Sequence, residues 1–246
     1  MLTEVVDKIL SLAPIQTAEI DGQTYLKADQ KIHRLRAPAQ HPPAALTFAT
    51  LGGLAEYVVA NDDGLNLEEI ILHVVDFNRV DLLGRLQPTN DNIRFCHAAA
   101  VCSRPAFRWG QWMAIEDFII ALQSDFAEVE GEPDDVDGII DMLGKVASEH
   151  VRTTEDDGFS QMLQVRTGLT TRANVKVENP VKVHPWRTFP EVKQPLTLAV
   201  LRFRNIENQA PRVALFESGG ESWRYAAIAA IREWLAEVFP ETTILA

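Results

Sequence analysis

The clearest pattern in the chain is a period-two alternation around residue 170. Odd positions from 165 to 177 hold Val, Thr, Leu, Thr, Ala, Val and Val, while even positions from 166 to 178 hold Arg, Gly, Thr, Arg, Asn, Lys and Glu. Side chains alternate across a strand, so this run predicts a strand or a bent hairpin. Its outer face carries Arg166, Arg172 and Lys176. Leu196–Phe203 and Arg212–Phe216 read as two further strands joined by a polar turn at 205–211. Toward the N-terminus, Thr17–Ile20 and Thr24–Lys27 flank Asp21-Gly22, a strong tight-turn signal, and predict a hairpin. The apolar, β-branched run Glu69–Phe77 and the segment Asn92–Val101 also read as strands.

Helical spacing appears elsewhere. Val5, Val6, Ile9 and Leu10 fall on one side of a short helix over 3–12. Phe48–Val59 predicts a second helix, stopped by Asn61-Asp62-Asp63-Gly64. Trp109, Trp112, Ile115, Phe118, Ile119, Leu122, Phe126 and Val129 recur at helical intervals, which predicts an amphipathic helix over Met113–Glu128. Asp134–Val151 reads as the next helix, its acidic start suited to the helix dipole. Ser222–Val238 reads as the last, with Ile228, Ile231, Leu235 and Val238 inward. Ala37–Pro43 is a Pro-rich connector. Strands and helices are grouped rather than alternating, so the expected class is α+β. The picture is antiparallel sheets with helices packed on one face and long β-hairpins in the C-terminal half. One domain over residues 1–246 is expected, with any sub-division in the acidic link near 129–137.

Composition adds bounds. The chain has 246 residues, 46% hydrophobic and 24% charged, which is globular composition. No apolar run is long enough to span a membrane. The start, MLTEVVDKIL, lacks the basic-then-apolar order of a secretion signal. Two cysteines build no disulfide framework. A soluble, cytoplasmic protein is expected. Charge is segregated. Residues 113–158 hold fourteen acids against two bases, Lys145 and Arg152, which matches the chain's whole net charge of −12. Residues 160–212 hold nine bases against three acids. Either an acidic helical face and a basic sheet lie side by side and neutralise each other, or the basic face meets a partner. That partner is an anionic ligand or the acidic face of the next copy in a head-to-tail homo-oligomer.

Candidate chemistry is thin. Cys96 and Cys102 are six apart on an expected strand, roughly 20 Å, too far for a disulfide. They read as core thiols. His73 and His97 fall short of a zinc ligand set. Asp156-Asp157, Glu191 and Lys193 loosely match the acid and Glu-x-Lys pattern of metal-dependent nucleases, in which carboxylates hold Mg²⁺ and Lys steadies the attacking water. Ser218-Gly219-Gly220-Glu221 fits a capping box before the last helix, or a phosphate cradle. No Lys follows the glycines, so it is not a P-loop. No catalytic residue, metal or cofactor is assigned. The best ligand candidate is the segment His184-Pro185-Trp186-Arg187-Thr188-Phe189-Pro190. An exposed Trp186 and Phe189 beside His184, Arg187, Arg202 and Arg204 would stack on bases while the cations hold phosphates. Otherwise the aromatics cover a sheet edge or a subunit contact.

Asp76-Phe77, Arg94-Phe95-Cys96-His97-Ala98, Trp109-Gly110-Gln111-Trp112-Met113, Glu116-Asp117-Phe118, Asp157-Gly158, Asn179-Pro180, the 184–189 stretch and Leu215-Phe216-Glu217 occur in this order. On these residues, spread over roughly 15–240, the chain resembles a phage and prophage family of unknown function, the YfdQ-like proteins. Members often carry His after the Asp-aromatic pair; here the residue is Asn78, which argues against an essential His there. The resemblance implies a non-structural accessory protein encoded near replication, recombination or nucleotide-metabolism genes, and carries over no catalytic residue. The expected function is therefore a self-assembling accessory protein of the host bacterial cytoplasm. It would bind an anionic partner: single-stranded nucleic acid, a nucleotide or a host defence protein. The alternatives are a metal-dependent phosphodiester-cleaving enzyme using Asp157, Glu191 and Lys193, and an acidic nucleic-acid mimic built on 113–158.

Overall fold

A computed structural model describes residues 16–20, 23–28, 31–34, 44–86, 94–147, 150–156, 161–167, 171–204 and 211–246. The expected helix over 3–12 and the connector Ala37–Pro43 lie outside them. The chain forms two compact units, one of residues 1–44 with 84–95 and one of residues 45–83 with 96–246. Residues 129–137 lie inside the second unit. The fold is α+β, with mixed and antiparallel sheets.

The first unit contains a three-stranded antiparallel sheet, β1 (Gln16–Ile20), β2 (Gln23–Ala28) and β3 (Lys31–Arg34). Ile20 pairs with Gln23, leaving two residues to turn between β1 and β2, as the Asp-Gly signal requires.

The second unit has two sheet-and-helix layers. One is a five-stranded mixed sheet in the order β15 (Thr243–Leu245), β5 (Ile71–Asp76), β6 (Arg79–Leu83), β7 (Cys96–Val101), β4 (Leu46–Phe48). Its inner strands are antiparallel, as expected, and both edge strands are parallel to their neighbours. Each edge strand adjoins a helix in sequence, and a helical segment is what lets a chain return in parallel. Those helices are α1 (Leu51–Ala60) and α4 (Ser222–Val238). Leu51, Leu54 and Val58 of α1 and Ile231 and Leu235 of α4 pack on Leu72, Val74, Val80, Leu82, Ala98 and Ala100. The even positions of β5, β6 and β7 thus share one buried face. Thr50 caps α1 through Gly53 N–H, and Asn61 in the left-handed region ends it. At the end of α4, Phe239 rather than the exposed Val238 turns inward.

The other layer is a four-stranded sheet in the order β12 (Val181–Val183), β13 (Thr197–Arg204), β14 (Arg212–Glu217), β8 (Met113–Ala114). Helices α2 (Ile115–Asp125) and α3 (Val136–Ala147) cover one face of it. Phe118, Leu122, Ile139, Leu143 and Val146 meet Val181, Val183, Ala199, Leu201, Phe203, Val213 and Leu215. Sequence periodicity runs the first helix too far at both ends. Met113–Ala114 pairs with Arg212–Val213 as a strand, and Trp109 and Trp112 lie in the loop before it. The helical spacing of those tryptophans is therefore coincidental. The expected helix over Asp134–Val151 stops at Ala147. His150 onward forms β9 (His150–Asp156), the edge of a sheet with β10 (Gln161–Thr167) and β11 (Thr171–Val177). The alternating run is a hairpin of β10 and β11 with Arg166 opposite Arg172.

Where β12 ends, two side-chain amides continue the β13 ladder. Asn179 accepts from Leu201 N–H (2.8 Å) and donates to its carbonyl (3.1 Å). Gln161 does the same for Phe203, at 2.7 and 3.2 Å. An open strand edge is thereby satisfied without a partner strand.

The alternation along β13 places Leu201 in the core and Leu198 on the outer face, 0% and 38% exposed. Leu201→Ala is expected to lower unfolding stability by about 2–5 kcal/mol. Leu198→Ala is expected to change it by less than about 1 kcal/mol in the same chemical-denaturation series.

Candidate functional site

The segment 184–194 links the two layers of the second unit. Pro185 forms a bridge with Phe126 after α2, Trp186 N–H donates to Asp125, and Ala127 N–H donates to the His184 carbonyl. On the other side Phe189 and Val192 enter the core beneath the five-stranded sheet. The Thr188 hydroxyl donates to the Phe77 carbonyl at the β5–β6 turn, and Cys102 Sγ donates to the Thr188 carbonyl. Gln194 holds the loop closed. Its buried Oε1 accepts from Arg187 N–H (3.0 Å) and Thr188 N–H (3.2 Å). Its Nε2 donates to the carbonyls of Phe189 (2.9 Å) and Val192 (3.1 Å).

This placement corrects most of the candidate ligand segment. Phe189 is fully buried among apolar side chains and offers no stacking face. His184 is fully buried, with Nδ1 at 3.1 Å from the Gln194 carbonyl. Trp186 is half-buried and the Arg104 guanidinium lies 4.4 Å from its ring centroid. Arg187 has a side chain only 7% exposed, bonded to Glu217 at 3.0 Å. Its guanidinium lies 4.1 Å from the Trp223 ring centroid and 5.2 Å from that of Trp109. Burial lowers its pKa from the ordinary value, opposed by Glu217. An arginine held so keeps its charge and serves as a structural tie between α4 and the 107–112 loop.

Arg202 and Arg204 stand elsewhere. They occupy even positions of β13, on the face turned away from α2 and α3. Register sets Arg202 opposite Ala214, Arg204 opposite Arg212, and Val200 opposite Phe216. Lys182 shares this face, opposite Leu198. Arg187 thus does not converge with Arg202 and Arg204. The residues that do were not singled out from the sequence: Trp112, edge-on to Phe216 with ring centroids 5.9 Å apart, and Arg212. A cleft of about 590 Å³ opens there, lined by Trp112, Phe216, Val200, Arg202, Arg204, Phe203 and Gln161. The sequence signal that could have found it is the even-position set of β13, read across to β14.

The acids lie on the other side of the layer. Glu116, Asp117, Asp137 and Asp141 are exposed on the helices that cover the inner face. The helices that carry these four acids and the sheet face that carries Arg202 and Arg204 are therefore back to back. Parts of the acidic link do structural work: Asp134 caps Val136 N–H (3.0 Å), Asp135 accepts from Lys182 N–H (2.7 Å), and Glu132 pairs with Lys193.

The nuclease-like residues are separated in role. Glu191 Oε1 accepts from Gly52 N–H (2.9 Å), at the start of α1, where a carboxylate meets the positive end of the helix dipole. Lys193 turns to Glu132, and Asp157 lies outside the described residues. Among the described residues no group of three or more His, Cys, Asp or Glu is placed to hold a metal ion. His73 and His97 are half-buried on β5 and β7. Both cysteines are free thiols, Cys102 buried and Cys96 half-buried, with pKa values raised chiefly by burial. Ser218 is not the cap of α4. Glu221 holds that position without a side-chain bond, and Ser218 N–H instead donates to the Leu198 carbonyl.

Comparison with protein-family models, with curated proteins and with solved structures finds no match for this chain.

Gln194→Ala removes the partners of two N–H and two carbonyl groups. At about 1–3 kcal/mol for each buried group left unsatisfied, a loss of more than about 3 kcal/mol is expected in chemical denaturation. A second expectation concerns pH. The bond from Lys193 holds the Glu132 carboxyl below its ordinary value of 4.5, with Lys193 and His184 charges adding to the effect. A depressed carboxylate contributes stability above its unfolded value and loses it on acidification. The stability difference between wild type and Glu132→Gln should therefore shrink as pH falls through and below about 4.5 in a pH series of melts.

Proposed function

We propose that the outer face of the β12–β13–β14–β8 sheet is a recognition surface for an anionic partner. In this reading the chain acts as a non-enzymatic accessory protein that holds such a partner. The observation that carries it is that Arg202 and Arg204 line a cleft with the aromatic pair Trp112 and Phe216, while Lys182 and Arg212 stand on the same sheet face, opposite Leu198 and Arg204. Like charges directly opposite each other on a sheet are destabilising. Arg204 and Arg212 are such a pair, and an anion between them relieves the repulsion. The phage or prophage setting implied by the sequence resemblance, and with it the host bacterial cytoplasm, supplies candidate partners: nucleic acid, nucleotides and acidic host defence proteins. Among the described residues no helix is long and apolar enough to cross a membrane.

The back-to-back charge layout also favours head-to-tail self-association, since the acidic helical layer of one copy complements the basic face of the next.

The test replaces Arg204 and Arg212, both exposed, not Arg187, whose reversal would set a carboxylate beside Glu217. Arg204→Glu with Arg212→Glu is expected to abolish retention on heparin at low salt while leaving the thermal melt within a few degrees. Unchanged retention with the fold intact would overturn the proposal.

A further inference from the structure

Resting on that reading, we propose that the cleft takes an unpaired nucleobase at Trp112 and Phe216, with the flanking phosphates on Arg204 and Arg212. The partner is then single-stranded nucleic acid. A surface for a simple polyanion needs cations only, whereas this one joins cations to two aromatic rings. Bases stacked on aromatic side chains beside arginines are the recurring arrangement for single strands, because every base has a π-face. The cleft, about 590 Å³, falls within the usual range for sites that enclose a small organic group. Phe216, a large apolar residue near the end of β14, is 37% exposed. In an edge-to-face pair one ring keeps both faces uncovered by the other, and a base would stack on that ring.

The backbone is fitted to hold this pair. Gly110 has φ +69°, and a Cβ there would lie 3.3 Å from Phe216 Cε1. Gly110 N–H donates to the Leu215 carbonyl at 2.8 Å, fixing the loop against β14 beside the ring. A side chain at this position would be strained and would press on Phe216. The cations follow in register. Along β13, Val200, Arg202 and Arg204 are spaced about 7 Å apart on one face, so the base position lies next to the first cation and one further step from the second. The Gln161 amide lines the cleft but is committed to both main-chain groups of Phe203. Base edges therefore meet rings and guanidinium groups rather than a reading amide.

The experiment measures anisotropy of labelled oligo(dT), the matching duplex and heparin with the full chain. The expected result is oligo(dT) bound more tightly than duplex. Trp112→Leu should weaken oligo(dT) roughly 5- to 150-fold, the range for loss of one stacked base, with heparin affinity unchanged. Should that variant misfold, ultraviolet cross-linking of a bromodeoxyuridine oligonucleotide to wild type replaces it, with adducts expected on Trp112 or Phe216. Adducts elsewhere, or heparin and duplex binding as tightly as the single strand, would sink the base site and leave the anionic face standing. A monomer that binds no probe would overturn both readings. Salt-sensitive oligomers that bind no probe would assign the face to a second copy and overturn this proposal.

Discussion

The second unit depends on one buried amide. Gln194 satisfies two donors and two acceptors of the loop that precedes it, using all the hydrogen-bonding directions its nitrogen offers and both lone pairs of its oxygen. A loop cannot pass through an apolar interior with its backbone unpaired. With the amide in place, the loop can carry Phe189 and Val192 into one core and dock Pro185 and Trp186 against the end of α2. It also sends Glu191 to the start of α1. Two sheet-and-helix layers are thus joined by a segment that belongs to neither sheet.

That role explains why His184, Arg187 and Phe189 are buried rather than presented to a ligand. Buried aromatics and one buried arginine act as fasteners: Arg187 lies between Trp223 and Trp109, Trp223 is edge-on to Phe77, and Arg224 lies over Phe77 and pairs with Asp76. A guanidinium in such a place is held by ring faces and one carboxylate rather than by water. Arginine and tryptophan side by side in a sequence are equally compatible with a fastener and with a binding face. Burial decides between them, and burial is set by where the loop runs.

The legible parts of the sequence were those governed by local periodicity. Ser222–Val238 has the bounds its spacing predicts, β13 is shifted by one residue at each end, and β14 runs one residue longer. The Asp-Gly hairpin and the β10–β11 hairpin follow from turn chemistry and alternation. What was not legible depended on pairing between distant segments. Nothing near Met113 announces that it will pair with Val213, and that pairing is what removes Trp112 from the helix and brings it to Phe216. Likewise Glu191 and Lys193 match a nuclease spacing in one dimension, while their partners, Gly52 and Glu132, lie far off in sequence. The parallel edge strands β4 and β15 are three residues each, too short to carry a pattern.

The same alternation that made β13 readable also separates the molecule's charges. A strand with Leu201 and Phe203 inward must present Arg202 and Arg204 on the opposite face, and the helices that cover the inner face must turn Glu116, Asp117, Asp137 and Asp141 outward. A net charge of −12 is therefore compatible with a face that attracts anions. With a Debye length of about 8 Å at physiological salt, the acids across the layer are largely screened from the sheet face, while the arginines on it act together. Among the described residues, Arg202 and Arg204 line the cleft with Trp112 and Phe216, and Arg212 stands opposite Arg204. Charge segregated by layer, rather than total charge, decides what this face can hold.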